Sequence, residues 1–198
     1  MSRPVIRAYT DYKSPYAFVA LGPTLEFAAR WNAELEWLPY TLRIAEYLDA
    51  VDTRSPHNWR KVRYAYMDAR RYANLQGLTL KGPRRIYDGY YANAGMLFTQ
   101  RAGGFDAYHR TVFEKFWKHE LDVDSLDDIR AEIAAAGADA DAFADYAEGP
   151  GREEQSRIVA EAEDAGIFGV PSFVHEGELF WGGDRIWMLE DRLRARAG

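Results

Sequence analysis

An α/β fold is predicted for this chain, with a β-α-β unit at the start, a β-β-α unit at the end and a long helical insertion between them. Three observations carry the prediction. β-branched and aromatic residues cluster without helical spacing in residues 4–12 and 35–42, and again in 171–174 and 178–181. From about residue 44 to 166 the apolar spacing changes to the 3.6-residue period of amphipathic helices. Each strand-rich end also carries one amphipathic helix of its own, over residues 15–32 and 184–196.

Each element has a local reason. Residues 4–12 read as a buried strand that stops at Lys13-Ser14-Pro15. Ser14 before Pro15 suits an N-cap followed by Pro at the first helical position. Ala17, Ala20, Leu21, Leu25, Ala28 and Ala29 give that helix its apolar face. Residues 35–42, LEWLPYTL, are the second strand, and Pro39 suits an edge or a bulge. Strand, helix and strand in this order imply parallel pairing through a right-handed crossover. In the insertion, helices are expected over residues 58–75, 91–102, 106–119, 125–136, 139–147 and 150–165. Gln76-Gly77 stops the first, and Ser125 caps the fourth with Asp128 at the capping-box position. The Ala/Asp-rich stretch 134–147 reads as a solvated helical pair, because Ile129, Ile133, Phe143 and Tyr146 anchor it. Residues 171–174 and 178–181 form a hairpin around Glu176-Gly177. Ile186, Met188, Leu189 and Leu193 face inward from the last helix.

Composition excludes several functions. The 198 residues are 47% apolar and 15% aromatic, enough for one sizeable core. Net charge is −6 and no Lys/Arg block is interleaved with aromatics, so no nucleic-acid partner is expected. No apolar stretch approaches the length of a membrane span, and MSRPVIRAYTD lacks the apolar run of a secretion signal. A cytoplasmic protein without a membrane partner is expected. His57, His109, His119 and His175 lack metal-ligand spacing, so no metal is expected. The sequence contains no cysteine. Disulfides, thiolate zinc sites and a Cys-x-x-Cys centre are therefore excluded, and sulfur chemistry here requires a thiol brought by a ligand.

The order β-α-β…β-β-α is that of a thioredoxin-like fold. There the loop after the first strand carries the reactive group at a helix N-terminus, and a Pro before the third strand completes the site. That Pro is Pro171 in GIFGVPSFVHEG, and a cis Val170–Pro171 bond is expected. DYKSPYAF, GIFGVPSFV and ELFWGGDR, in this order, are together similar to the 2-hydroxychromene-2-carboxylate isomerases and the kappa-class glutathione transferases. Both are DsbA-like members of the thioredoxin superfamily, and the likeness in layout covers essentially the whole chain. On this reading residues 1–43 and 167–198 form a discontinuous thioredoxin-like domain, and residues 44–166 an inserted helical subdomain.

The resemblance implies glutathione as cofactor and Ser14 as the catalytic residue, its hydroxyl donating to the glutathione sulfur. The physics agrees. A helix N-terminus offers about half a positive charge, which lowers the pKa of a nearby thiol. A hydroxyl adds one charge-assisted bond. The same side chain read without the resemblance is a helix cap. Val170 is expected to pair its backbone with the cysteinyl part of glutathione, as an added strand does. Gly183 and Asp184 match the place that holds the γ-glutamyl end, with Asp184 at the ammonium or capping the last helix. Lys61 and Tyr64 share one helix face and match pocket residues of relatives; the alternative is a solvated Lys and a core Tyr. Asp68 orients Lys61 or pairs with Arg63 or Arg71. Tyr12 and Tyr16 flank Ser14, as packing residues or as walls of the substrate pocket, and Trp181 walls the site or the core. One departure stands out. Relatives carry a Gly-Asn, Pro-rich loop before the long helix, where this chain reads AEYLDAVDTRSPHNWRK, with Asn58 in a different phrase.

The implied activity is addition of a glutathione thiolate to a conjugated double bond of an aromatic or unsaturated acid, rotation, and elimination of the thiol. A kappa-like transferase would keep the thioether, and a glutathione- or protein-binding module would use the fold without turnover. The implied partners are a small-molecule electrophile, held in the cleft between core and insertion, and a second copy in a homodimer.

Overall fold

The computed structural model describes residues 3–197. Strands β1 (Val5–Thr10), β2 (Glu34–Pro39), β3 (Ser172–His175) and β4 (Glu178–Trp181) form one sheet in the order β2-β1-β3-β4. β1 runs parallel to β2, from Val5 opposite Glu34 to Thr10 opposite Pro39. It runs antiparallel to β3, which pairs antiparallel with β4. Pro39 ends β2 on the sheet edge, where its missing N–H breaks no ladder. The strand stops there and does not reach Leu42, whose N–H is taken by a side chain instead of by the neighbouring strand. The Tyr40 N–H donates to the Thr10 carbonyl at 2.9 Å, and the Leu42 N–H donates to the Asp11 carboxylate at 2.7 Å.

Helix α1 (Pro15–Trp31) connects β1 to β2. Between β2 and β3 lie α2 (Ile44–Leu48), α3 (Pro56–Leu75), α4 (Tyr90–Ala102), α5 (Phe105–Lys118), α6 (Leu126–Ala135), α7 (Ala140–Glu148) and α8 (Gly151–Asp164), with no strand among the described residues. α2 has five residues, too few to show a helical period in sequence. A 3-10 turn, Gly183–Arg185, precedes α9 (Ile186–Ala197). The last helix thus begins two residues later than its pattern suggested.

The caps follow from the sequence. Ser14, Ser55 and Ser125 each accept the N–H three residues on at 3.2 Å. Ser125 also donates to Asp128 at 3.0 Å. In the β3–β4 turn both Glu176 (φ 49°) and Gly177 (φ 83°) are left-handed, which matches the twist of the flanking strands. The Val170–Pro171 bond is cis, as the sequence predicts.

A single hydrophobic core runs through sheet and insertion. Ile6, Phe18, Phe27, Phe173 and Leu189 join Tyr12, Phe113 and Trp117 in it. α1 packs against α3 and α9, while α4 and α8 pack against β2. Tyr12 is the stitch at the end of β1. Its ring is fully buried against Phe113, and its hydroxyl meets His109 Nδ1 at 2.8 Å.

Candidate active site

The loop from Asp11 to Ser14 is fixed from within. The Ser14 N–H donates to the Asp11 carbonyl at 3.0 Å, and the Lys13 N–H donates to Asp11 Oδ1 at 3.3 Å. Lys13 Nζ lies 3.2 Å from Asp11 Oδ2, an ion pair with side chains 5% and 0% exposed. Lys13 Nζ also donates to the Asp88 carbonyl in the connection between α3 and α4. Two charges buried this deeply are costly unless paired and hydrogen-bonded, and here the pair ties the loop to the connection between α3 and α4.

Ser14 sits at the N-terminus of α1. Its Oγ accepts the Ala17 N–H at 3.2 Å and donates to the Val170 carbonyl at 3.4 Å, with the residue only 3% exposed. The loop around the cis bond is held by Ser172 Oγ donating to the Gly169 carbonyl at 2.7 Å, and by the Gly182 N–H donating to the Pro171 carbonyl at 2.8 Å.

Beside this loop lies a cleft of about 410 Å³. Tyr16 and Ala20 from α1, Asp68 and Tyr72 from α3 and its C-cap Gln76 line one side. Val170, Pro171 and Trp181 line another, and Gly183, Asp184 and Arg185 supply the end. Asp68, Tyr72 and Gln76 recur every four residues and so share one helix face. The Tyr16 hydroxyl donates to Asp68 Oδ2 at 3.2 Å. Burial, and then the Asp68 charge, push the Tyr16 phenol well above its ordinary range, so it stays protonated at neutral pH. Gly183 packs against α1, where a Cβ would stand 2.7 Å from the Ala20 Cβ. Gly169 likewise lies under the Trp181 indole, where a Cβ would stand 2.9 Å from Nε1. Trp181 is 53% exposed and meets Phe168 with ring centroids 4.7 Å apart.

The structure brings Tyr16, Val170, Pro171, Trp181, Gly183 and Asp184 to one cleft and reaches Ser14 through Val170. It does not bring the rest. Tyr12 is not a pocket residue: burial against Tyr108, His109 and Phe113 places it in the core. Lys61 and Tyr64 lie on the exposed face of α3 outside the cleft lining, and Tyr64, 56% exposed, is not a core residue either. Asp68 serves Tyr16 and Arg71, the latter at 3.5 Å. Asp184 pairs with Arg185 inside the 3-10 turn. Asn58 bonds Asp49 Oδ2 at 3.0 Å and so ties its own turn together. Sequence reasoning missed Asp11, Lys13, Tyr72, Gln76 and Arg185. Tyr72 and Gln76 were within reach, since they continue the four-residue stripe from Asp68.

No group of three His, Asp or Glu side chains is placed to hold a metal among the described residues. None of the described helices is long and apolar enough to cross a membrane. A second hollow of about 470 Å³ lies by Phe98, Arg101, Tyr146 and Glu154. Its polar groups already satisfy one another, with Arg101 and Tyr146 both on Glu154 at 2.7 and 2.8 Å.

Comparison with known proteins bears on the family and the fold. The family profile of the DSBA-like thioredoxin domain matches residues 5–194. A 2-hydroxychromene-2-carboxylate isomerase of Sphingobium xenophagum is 25% identical over 189 residues, covering 93% of this chain and 95% of the relative. One of Pseudomonas sp. (strain C18) is 26% identical over 198 residues, covering 96% and 90%. Among solved structures, a 2-hydroxychromene-2-carboxylate isomerase superposes with a TM-score of 0.80 at 23% identity, covering 98% of this chain and 96% of that one.

Proposed function

The chain belongs to the DSBA-like thioredoxin domain family, and from that premise we propose that it is a glutathione-dependent isomerase of a conjugated aromatic or unsaturated acid. One observation carries the proposal. In a chain without cysteine, a serine hydroxyl occupies the N-terminus of α1 and touches the carbonyl that precedes the cis-proline. The activity named for the two relatives above supports the same reading.

The residues fit glutathione. The α1 N-terminus favours a negative sulfur. Val170 offers backbone groups beside the cleft, and Asp184 and Arg185 offer one charge of each sign for a zwitterionic γ-glutamyl end. Bound glutathione supplies a thiolate that adds to a conjugated bond, permits rotation and leaves again. The chain's part is to orient and to exclude water. Ser14 fixes the sulfur, Tyr16 and Tyr72 wall the cleft, and Trp181 with Phe168 presents an aromatic surface to a flat ligand. A homodimer, implied by the same resemblance, is checked by sedimentation.

The test uses a cis-configured conjugated acid with and without glutathione, followed by absorbance and by assay of free thiol. Isomerisation that requires glutathione but leaves its amount unchanged is the expected result. Consumption of glutathione into a thioether makes the protein a transferase. Calorimetric binding without turnover makes it a binding module, and absence of binding overturns the reading.

A further inference from the structure

We infer that the first half of α3 is an electrostatic guide: a patch of unpaired cations that speeds anionic ligands into the cleft without touching them once bound. The inference rests on the functional reading above and adds to it how the ligand arrives.

α3 holds five basic residues and one acid, so it carries +4 in a chain of net −6. The basic residues are not equally engaged. Arg71 pairs with Asp68 at 3.5 Å, and Arg70 Nε donates to the Leu80 carbonyl at 3.2 Å. Arg60, Lys61 and Arg63 are exposed, and among the described residues no acidic side chain pairs with them. Stability does not explain this cluster. The first turn of α3 has no acidic residue, so nothing there offsets cations towards the positive end of the helix. Arg60 and Arg63 also stand three residues apart, where like charges on a helix surface repel.

The cleft gives the cluster a use. Its lining holds two acids, Asp68 and Asp184, against one cation, Arg185, which already pairs with Asp184. Lining and chain as a whole are therefore negative towards an approaching acid, and attraction has to come from outside the lining. Arg60, Lys61 and Arg63 precede Asp68 on the same helix by about 12, 10 and 8 Å, at about 1.5 Å of rise per residue. These are roughly one to one and a half screening lengths at physiological salt, where that length is about 8 Å. None of the three lines the cleft. Charges so placed act on the encounter and its salt dependence, not on the contacts of the bound state.

The test measures association by stopped-flow quenching of tryptophan fluorescence, since Trp181 lines the cleft. The ligands are glutathione, an anion at neutral pH, and its glycine monoethyl ester, which has no net charge. At about 10 mM ionic strength Arg60→Glu/Arg63→Glu should slow association of glutathione on the order of 10-fold, and Arg60→Glu alone roughly 3-fold. Dissociation should change little. The ester should associate alike with all three proteins. At about 1 M salt, where the screening length falls to about 3 Å, the glutathione rates should converge. Urea denaturation supplies the readout that a structural role would not share. Arg60→Glu should be at least as stable as the unmodified protein, because an acid there faces Arg63 and the helix N-terminus. An unchanged glutathione rate overturns the inference. So does a slowing that the ester shares, that survives 1 M salt, or that comes with lost stability. If the ester does not bind, the salt series and the denaturation decide. Failure of glutathione itself to bind overturns the functional reading first, and this inference with it.

Discussion

The side-chain amide of Gln76, the C-cap residue of α3, donates to the main-chain carbonyl of Val19 on α1 at 2.8 Å. That carbonyl is the one left without a helical partner by Pro23, four residues on, which has no N–H to return. A local defect in α1 is thus satisfied by another helix, and the bond closes one wall of the cleft.

Gln76→Ala should therefore cost about 0.5–1.5 kcal/mol, the net worth of such a bond. Pro23→Ala returns an N–H to the Val19 carbonyl. In that background the cost of Gln76→Ala should shrink. Urea denaturation of the four proteins checks this, and equal costs in both backgrounds would show that the two residues act independently.

Asp11 should be the more costly half of the buried pair beneath Ser14. Removing one partner of a buried pair typically costs about 3–5 kcal/mol. Asp11 also accepts the N–H groups of Leu42 and Lys13, whereas among the described residues the Lys13 ammonium reaches Asp11 and the Asp88 carbonyl alone. Asp11→Ala should thus destabilise more than Lys13→Met, as read by chemical denaturation.

His109 should make stability fall in acid. Burial, and then the neighbouring Arg110 charge, lower its pKa to about 3. In the unfolded chain it titrates near 6.5. Below about pH 6.5 the unfolded state takes up a proton that the folded state refuses, so stability falls as pH drops towards 3. The loss from this group should reach about 2 kcal/mol by pH 5. The double variant Tyr12→Phe/His109→Phe removes the group and its buried partner together. It should show a flatter pH dependence by that amount in denaturant titrations.

Ser14→Cys should form a mixed disulfide when incubated with oxidised glutathione. Its thiolate attacks one sulfur of the disulfide and releases one glutathione, and the α1 N-terminus favours that thiolate. Mass spectrometry should show one glutathionyl adduct per chain, and an unreacted thiol would count against sulfur chemistry at this position. Ser14→Ala should cost about 0.5–2 kcal/mol of stability as a lost cap. It should also slow glutathione-dependent turnover about 10- to 100-fold at neutral pH, with partial recovery as pH rises.

What the sequence determined by itself was carried by contiguous residues. Ser14-Pro15, Ser125 with Asp128, and Glu176-Gly177 specify caps and a turn through bonds that span three residues or fewer. The phrases around Ser14, Pro171 and Gly183-Asp184 likewise announced the fold and the elements that meet at the cleft. Docking decided the rest. Tyr12 and His109 lie 97 residues apart, and neither sequence neighbourhood shows that the tyrosine turns inward to meet the histidine. Lys61 and Tyr64 share the helix that lines the cleft, yet the packing of α3 on α1 turns Asp68, Tyr72 and the capping Gln76 to the cleft and leaves those two exposed. The physical reason is one of range. A cap or a turn is settled by the backbone groups next to it, whereas a side chain's partner depends on which helix faces find each other in the packed core.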